Sequence, residues 1–314
     1  MSAVAVTAVA VVTPGGGTTP ADGWFDHRTR LGPRGYRYLP PATQYALAAA
    51  RDAAAGTSLA GTPEDRRGMV LATNGGLARL FDDMDRQVTG ADGADGLSPV
   101  NAPYFAVNVL GNRVAADHGL KAFALTMASP RTAAMDALEA GARALRAGRC
   151  DVALVAATEH RLPGEDAGEE GAVAFVLEAG ADRRDVPVLR SGSLFVPPPA
   201  LGTDRATTAI GAAVRRVAGH LAPGSRVRLI LDGSGLADLV TRVVPAVLPE
   251  AAVTRHRTEA PLGCLTPALH LADALAAETG DTLLVTAVHD GHLAFTLACR
   301  PGARRRPPGQ EPRP

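Results

Sequence analysis

The sequence predicts a layered α/β fold built from two related halves. Short apolar runs suited to buried strands alternate with Ala-rich helical stretches, which implies sheets covered by helices. One series of elements also occurs twice. A helix over about 132–146 is followed by Asp151-Val-Ala-Leu-Val-Ala-Ala157, a polar loop and Gly171-Ala-Val-Ala-Phe-Val-Leu-Glu178. A helix over about 265–277 is followed by Asp281-Thr-Leu-Leu-Val-Thr-Ala287, a His-rich loop and Gly291-His-Leu-Ala-Phe-Thr-Leu-Ala298. Four elements in the same order point to internal duplication. With 314 residues, 46% of them hydrophobic, the chain can bury one large core or two fused ones.

The elements follow in order. Residues 3–12 form an apolar run with no basic segment before it, far short of a bilayer span, so it reads as a buried strand. It ends at the turn Thr13-Pro14-Gly15-Gly16-Gly17. Pro40-Pro41 opens an Ala-rich helix over about 42–55, since proline is accepted in a first helical turn. Met69–Thr73 reads as a strand ending at Asn74-Gly75-Gly76. Residues 77–88 place Leu77, Leu80, Phe81 and Met84 at helical spacing. Gly90–Leu97 reads as a mobile loop, and a helix near 106–117 precedes the strand Ala122–Met127. In the second half, a strand over about 186–196 leads to Pro197-Pro198-Pro199. The predicted division is 1–180, 181–300 and a disordered tail over 301–314, where Arg304-Arg305-Arg306 lies among prolines.

Composition excludes several function classes. Thirty-two basic and 32 acidic residues cancel, so no global field favours nucleic acid or an anionic membrane. Aromatic residues make up 4%, too few for base-stacking platforms. Cys150, Cys264 and Cys299 are dispersed, which fits a reducing, cytoplasmic setting and no metal site.

The Ala-rich helix after Arg131, running into Gly148 and Asp151, and Gly168-Glu-Glu-Gly-Ala172 leading into Val173–Glu178, resemble the β-ketoacyl synthases. That resemblance implies a thiolase-like fold of two duplicated halves, layered αβαβα, working as a dimer without a cofactor. It also implies a cysteine nucleophile, two histidines and a lysine for decarboxylative condensation. The matching positions here are Arg131 for the cysteine, Asp232 and Cys264 for the histidines, and Glu259 for the lysine. Arginine stays charged and offers no nucleophilic lone pair. All four positions differ, so the chain resembles a chain-length factor. The partners this implies are an active ketosynthase, or a second copy of the chain, and an acyl-carrier protein.

Residual chemistry centres on Cys264, which precedes a predicted helix whose dipole would lower the thiol pKa. Paired with His289 or His292, it would suit an acyltransferase, cyclase or thioesterase. An inert buried cysteine is the simpler reading. Arg131 reads more simply as a salt-bridged structural residue. A degenerate scaffold with no acyl ligand is the third option. His160 reads as a capping or surface residue, His256 as part of a solvated face, and Cys150 and Cys299 as structural. Ser234 in Gly233-Ser-Gly235 lacks the nucleophile-elbow pattern.

Overall fold

The computed structural model describes residues 4–14, 23–90, 93–161, 168–179, 186–219, 221, 224–258, 263–277 and 280–299. Among them run ten strands: β1 Val4–Val12, β2 Arg67–Thr73, β3 Phe123–Ala128, β4 Val152–Glu159, β5 Gly171–Ala179, β6 Val188–Phe195, β7 Arg226–Leu231, β8 Ala252–Arg257, β9 Thr282–Ala287 and β10 His292–Cys299. The α-helices are α1 His27–Arg30, α2 Pro41–Ala54, α3 Ala78–Thr89, α4 Val109–His118, α5 Ala133–Arg146, α6 Asp204–Ala218, α7 Gly235–Val247 and α8 Leu265–Ala276.

The strands form one mixed sheet in the order β3-β2-β4-β5-β1-β6-β10-β9-β7-β8. Outward from its centre, the two halves use the same order. β2 lies parallel to β3 and β4, as β7 lies parallel to β8 and β9. β5 runs antiparallel to β1 and β4, as β10 runs antiparallel to β6 and β9. The halves join where Val4 and Ala5 of β1 pair with Leu189 and Val188 of β6.

Helices α2 and α4 cover the outer face of the first half, and α6 and α7 cover that of the second. Helices α5 and α8 touch each other and strands of both halves, so they form the middle layer of an αβαβα stack. Double coverage explains why the inner strands read as unbroken apolar runs: every residue of β4 and β9 is buried. Helix α5 approaches the sheet closely at Gly141, where a Cβ would lie 2.9 Å from Val155 Cγ2.

The expected loop at Gly90–Leu97 contains a 3-10 turn over Gly93–Gly96, and the triple proline runs into another over Pro198–Ala200. The expected tail over 301–314 lies outside the described residues.

Two glycines mark the duplication at atomic level. Gly171 opens β5 at φ 122°, and its counterpart Gly291, just before β10, has φ 108°. A Cβ on Gly171 would sit 2.3 Å from the Val12 carbonyl oxygen, and one on Gly291 would sit 2.2 Å from that of Val196. Both φ values suit only glycine, and both obstacles are backbone. Gly171→Ala and Gly291→Ala are each expected to cost about 2–3 kcal/mol, read as a lowered midpoint in denaturant unfolding. An unchanged midpoint in either variant would show that the turn can relax.

Candidate functional site

The heads of α5 and α8 meet at the centre of the molecule. β3 ends at Ala128, and Ser129-Pro130-Arg131-Thr132 turns sharply into α5. Arg131 has φ 57°, alone among the described non-glycine residues in being positive. That conformation costs an L-residue roughly 1–2 kcal/mol, so other contacts must hold it. The Arg131 N–H donates to the Gly263 carbonyl at 3.1 Å, and its guanidinium donates to Thr258 Oγ1. The side chain is 6% exposed. Gly263 precedes Cys264, the N-cap residue of α8, so the two counterpart helix heads are bonded through their backbones.

Two carboxylates complete the junction. Glu159, buried at the end of β4, accepts N–H bonds from Asn74 (2.8 Å), Gly75 (2.7 Å) and Cys264 (3.0 Å). Glu169 accepts from Leu265 N–H (2.6 Å) and Thr266 N–H (2.9 Å) in the first turn of α8. The open N–H groups of that helix end are therefore met by side chains. Burial, then repulsion from Glu169, pushes the Glu159 carboxyl up to about 7, against the bonds to Cys264 and Asn74. Burial also raises Glu169, while its helix N–H bonds and Arg131 pull it down.

The same surroundings decide the state of Cys264. Its thiol is fully buried, and burial, then Glu159 and Glu169, raise its pKa well above the ordinary value. The sequence suggested a thiol lowered by the helix dipole; the structure shows the opposite shift.

The two histidines expected to serve Cys264 have the following surroundings. His292 contacts the head of α5: its Nδ1 lies 3.4 Å from Thr132 Oγ1 and its Nε2 lies 3.5 Å from Asp136 Oδ1. His289 is exposed in the β9–β10 turn. Asp232, at the end of β7, accepts from Ser234 N–H, and Ser234 Oγ caps α7 by accepting from Ala237 N–H. Glu259 lies outside the described residues. Cys150 is buried and Cys299 is half-buried. His160 is half-buried with its ring edge-on to Tyr45.

His256 corrects the sequence reading. It is half-buried, not solvated, and its ring lies 4.3 Å from that of His270. Both line a cleft of about 800 Å3 beside α8, with Glu169, Glu170, Arg257 and Leu269. Among the described residues, no cluster of three or more His, Cys, Asp or Glu could hold a metal ion, and no helix is long and apolar enough to cross a membrane.

Sequence reasoning missed the tethering role of Glu159 and Glu169. One signal was available: a carboxylate ending the wholly apolar run Val152–Ala157 must find donors if it is buried.

Comparison with known proteins bears on the whole arrangement. Residues 19–179, just over half of the chain, match the family described as "Beta-ketoacyl synthase, N-terminal domain". No curated protein sequence matches. Among solved structures, the ketosynthase complex "AntDE:AntF (apo): type II PKS acyl-carrier protein in complex with its ketosynthase bound to the hexaketide" superposes with a TM-score of 0.76 at 17% identity, covering 96% of this chain and 100% of that one. "The ishigamide ketosynthase/chain length factor" gives 0.70 at 20% identity, with 96% and 100% coverage. A ketosynthase from module 1 of the bacillaene synthase of Bacillus amyloliquefaciens FZB42 gives 0.59 at 14% identity, with 95% and 76% coverage. At these identities the likeness establishes a thiolase-like ketosynthase fold.

The Glu159 carboxyl carries a pH signature. Its folded pKa of about 7 exceeds the ordinary 4.5, so the native state keeps a proton that the unfolded chain has released. Its contribution to stability is therefore full at low pH and lost as pH rises from 4.5 through 7. Glu159→Gln cannot titrate, so its stability deficit relative to wild type should narrow as pH rises from about 5 to about 8 in urea unfolding. A deficit that is constant or widens over that range would contradict the assignment.

Proposed function

The chain belongs to the β-ketoacyl synthase family, and from that membership we propose that it is a non-condensing, chain-length-factor-like subunit. In this reading it pairs with an active ketosynthase in cytoplasmic polyketide or fatty-acid-type biosynthesis, contributes walls to the acyl tunnel, and meets an acyl-carrier protein through the pair. The occupant of the strained turn before α5 carries the proposal. In an acyl-transfer elbow, that position presents a nucleophile, and backbone N–H groups nearby stabilise the oxyanion. Here Arg131 presents a buried guanidinium bound to Thr258, and its own N–H is already given to Gly263. The raised thiol of Cys264 weighs against the acyltransferase, cyclase or thioesterase reading through that residue.

The two sheet edges support pairing. β3 and β8 are counterparts, each with one unpaired side. β8 ends in Thr254-Arg-His-Arg257, and charge on an edge discourages strand addition. β3 reads Phe-Ala-Leu-Thr-Met-Ala and is not blunted: Leu125 is 46% exposed. Phe81 stacked on Phe105 adds exposed apolar surface in the same half. An exposed apolar edge strand favours pairing with another chain.

Co-expression with a ketosynthase should yield a complex by size-exclusion chromatography, and Leu125→Lys should weaken it at least about tenfold (about 1.4 kcal/mol) without lowering the unfolding midpoint. Alone, the chain should form no carbon–carbon bond from malonyl and acyl thioesters. Condensation by the isolated chain, or a complex indifferent to Leu125→Lys, would count against the proposal.

A further inference from the structure

Four side chains at the head of α5 form a connected series that neither condensation nor pairing uses. Ser129 Oγ lies 3.1 Å from Thr132 Oγ1, which lies 3.4 Å from His292 Nδ1, and His292 Nε2 lies 3.5 Å from Asp136 Oδ1. This is the order of a hydroxyl, a base and a carboxylate that orients the base, at spacings that commonly tighten when substrate binds. The His292 N–H is held by Asp290 Oδ1 at 3.0 Å, which fixes the turn that presents the ring. Ser129 is half-buried and can be reached from solvent, whereas Thr132 is fully buried and can only pass a proton.

A separate observation supplies the ligand class. His292 lies directly opposite Phe195 in the β10–β6 ladder, so the two side chains project from the same face. Phe195 is 61% exposed, an apolar ring open to solvent beside the imidazole.

We propose that Ser129, Thr132, His292 and Asp136 form an acyl-thioester hydrolase site, with Phe195 receiving the acyl chain. Ser129 Oγ attacks the thioester carbonyl while its proton passes through Thr132 Oγ1 to His292 Nδ1. The C–S bond then breaks, and the departing sulfur takes that proton from His292. Water, deprotonated along the same path, attacks the Ser129 ester and releases the carboxylic acid, restoring the serine hydroxyl. The first N–H groups of a helix have no partner within it, and no side chain caps those of α5, so in this proposal they are the donors for the developing oxyanion. The groups facing His292 set its working range. Its contact with Asp136 raises its pKa above the ordinary 6.5, burial opposes this, and Asp290 and Glu139 reinforce it. The base form therefore grows as pH rises through a value above 6.5. The inference stands apart from the pairing proposal, because it needs no second chain.

The test uses the purified full chain without a partner and acyl thioesters of N-acetylcysteamine, with thiol release followed by a colour reaction. Release above the buffer rate is expected, climbing with pH as the His292 base form grows. Ser129→Ala and His292→Gln should each lower it about 100-fold, and Asp136→Asn should shift the pH profile downward. Phe195→Ala should raise KM for longer chains more than it lowers kcat. A fluorophosphonate probe should label Ser129, read by peptide mass spectrometry, which keeps the test independent of any variant's folding. Release no faster than buffer, a rate unchanged in Ser129→Ala, or labelling at Cys264 would overturn the proposal. None of these results bears on pairing, which chromatography reads separately.

Discussion

A single buried carboxylate ties the two halves together at their most constrained point. Glu159 ends a strand of the first half, accepts from the turn after β2, and reaches the N-cap residue of α8 in the second. Glu169 grips the next two N–H groups of the same helix. The positive end of a helix dipole amounts to about half an elementary charge, and two carboxylates already draw on it. A thiolate at Cys264 would place a further negative charge beside them at a fully buried position. The helix dipole, which favours a thiolate, is here outweighed by burial and by the anionic neighbours. Burial keeps the two carboxyls from ionising freely, with repulsion from Glu169 adding to it at Glu159, so the junction holds as a hydrogen-bonded unit as much as a charged one.

Duplication gives each half an internal control. Gly171 and Gly291 take the same left-handed conformation against the same obstacle, a carbonyl at the end of a neighbouring strand, so the backbone plan is shared. Where counterparts differ, the difference concerns contact or chemistry. Arginine heads α5 and cysteine heads α8. One sheet edge is apolar and the other carries two arginines and a histidine. Backbone constraints therefore act equally on both halves, and the side chains at the helix heads and sheet edges set the halves apart.

The fold was legible in the sequence wherever burial is complete. Apolar runs such as Val152–Ala157 and Leu283–Val285 identify inner strands, and the repeated order of elements foretells the repeated strand order. The region from α6 to β8 was harder to read, because an edge strand such as Ala-Val-Thr-Arg-His-Arg has no buried face to impose alternation. Within the site, position along the chain predicted that Arg131 and Cys264 would be neighbours, and the bond from Arg131 N–H to Gly263 shows that they are. It could not reveal which partner each side chain takes. His292 was expected to serve Cys264, and the partners the structure gives it are Thr132 and, one turn along α5, Asp136. Such choices depend on side-chain direction across a packed interface, which sequence spacing does not encode.

The turn at Arg131 separates shape from chemistry. A positive φ at an arginine is costly, and neither a nucleophile nor a glycine accounts for it here. It follows from geometry: β3 must end and α5 begin within four residues while the backbone stays bonded to Gly263 and the side chain to Thr258. The backbone part of that constraint, the tight connection and the bond to Gly263, does not depend on which side chain stands here. What the position can do chemically belongs to the side chain alone. Membership in a family of condensing enzymes therefore fixes the elbow, the middle helices and the sheet order, and leaves the reaction to whichever groups surround them. In this chain the group at the elbow is a bound guanidinium, and a hydroxyl pair, an imidazole and a carboxylate stand in series beside it.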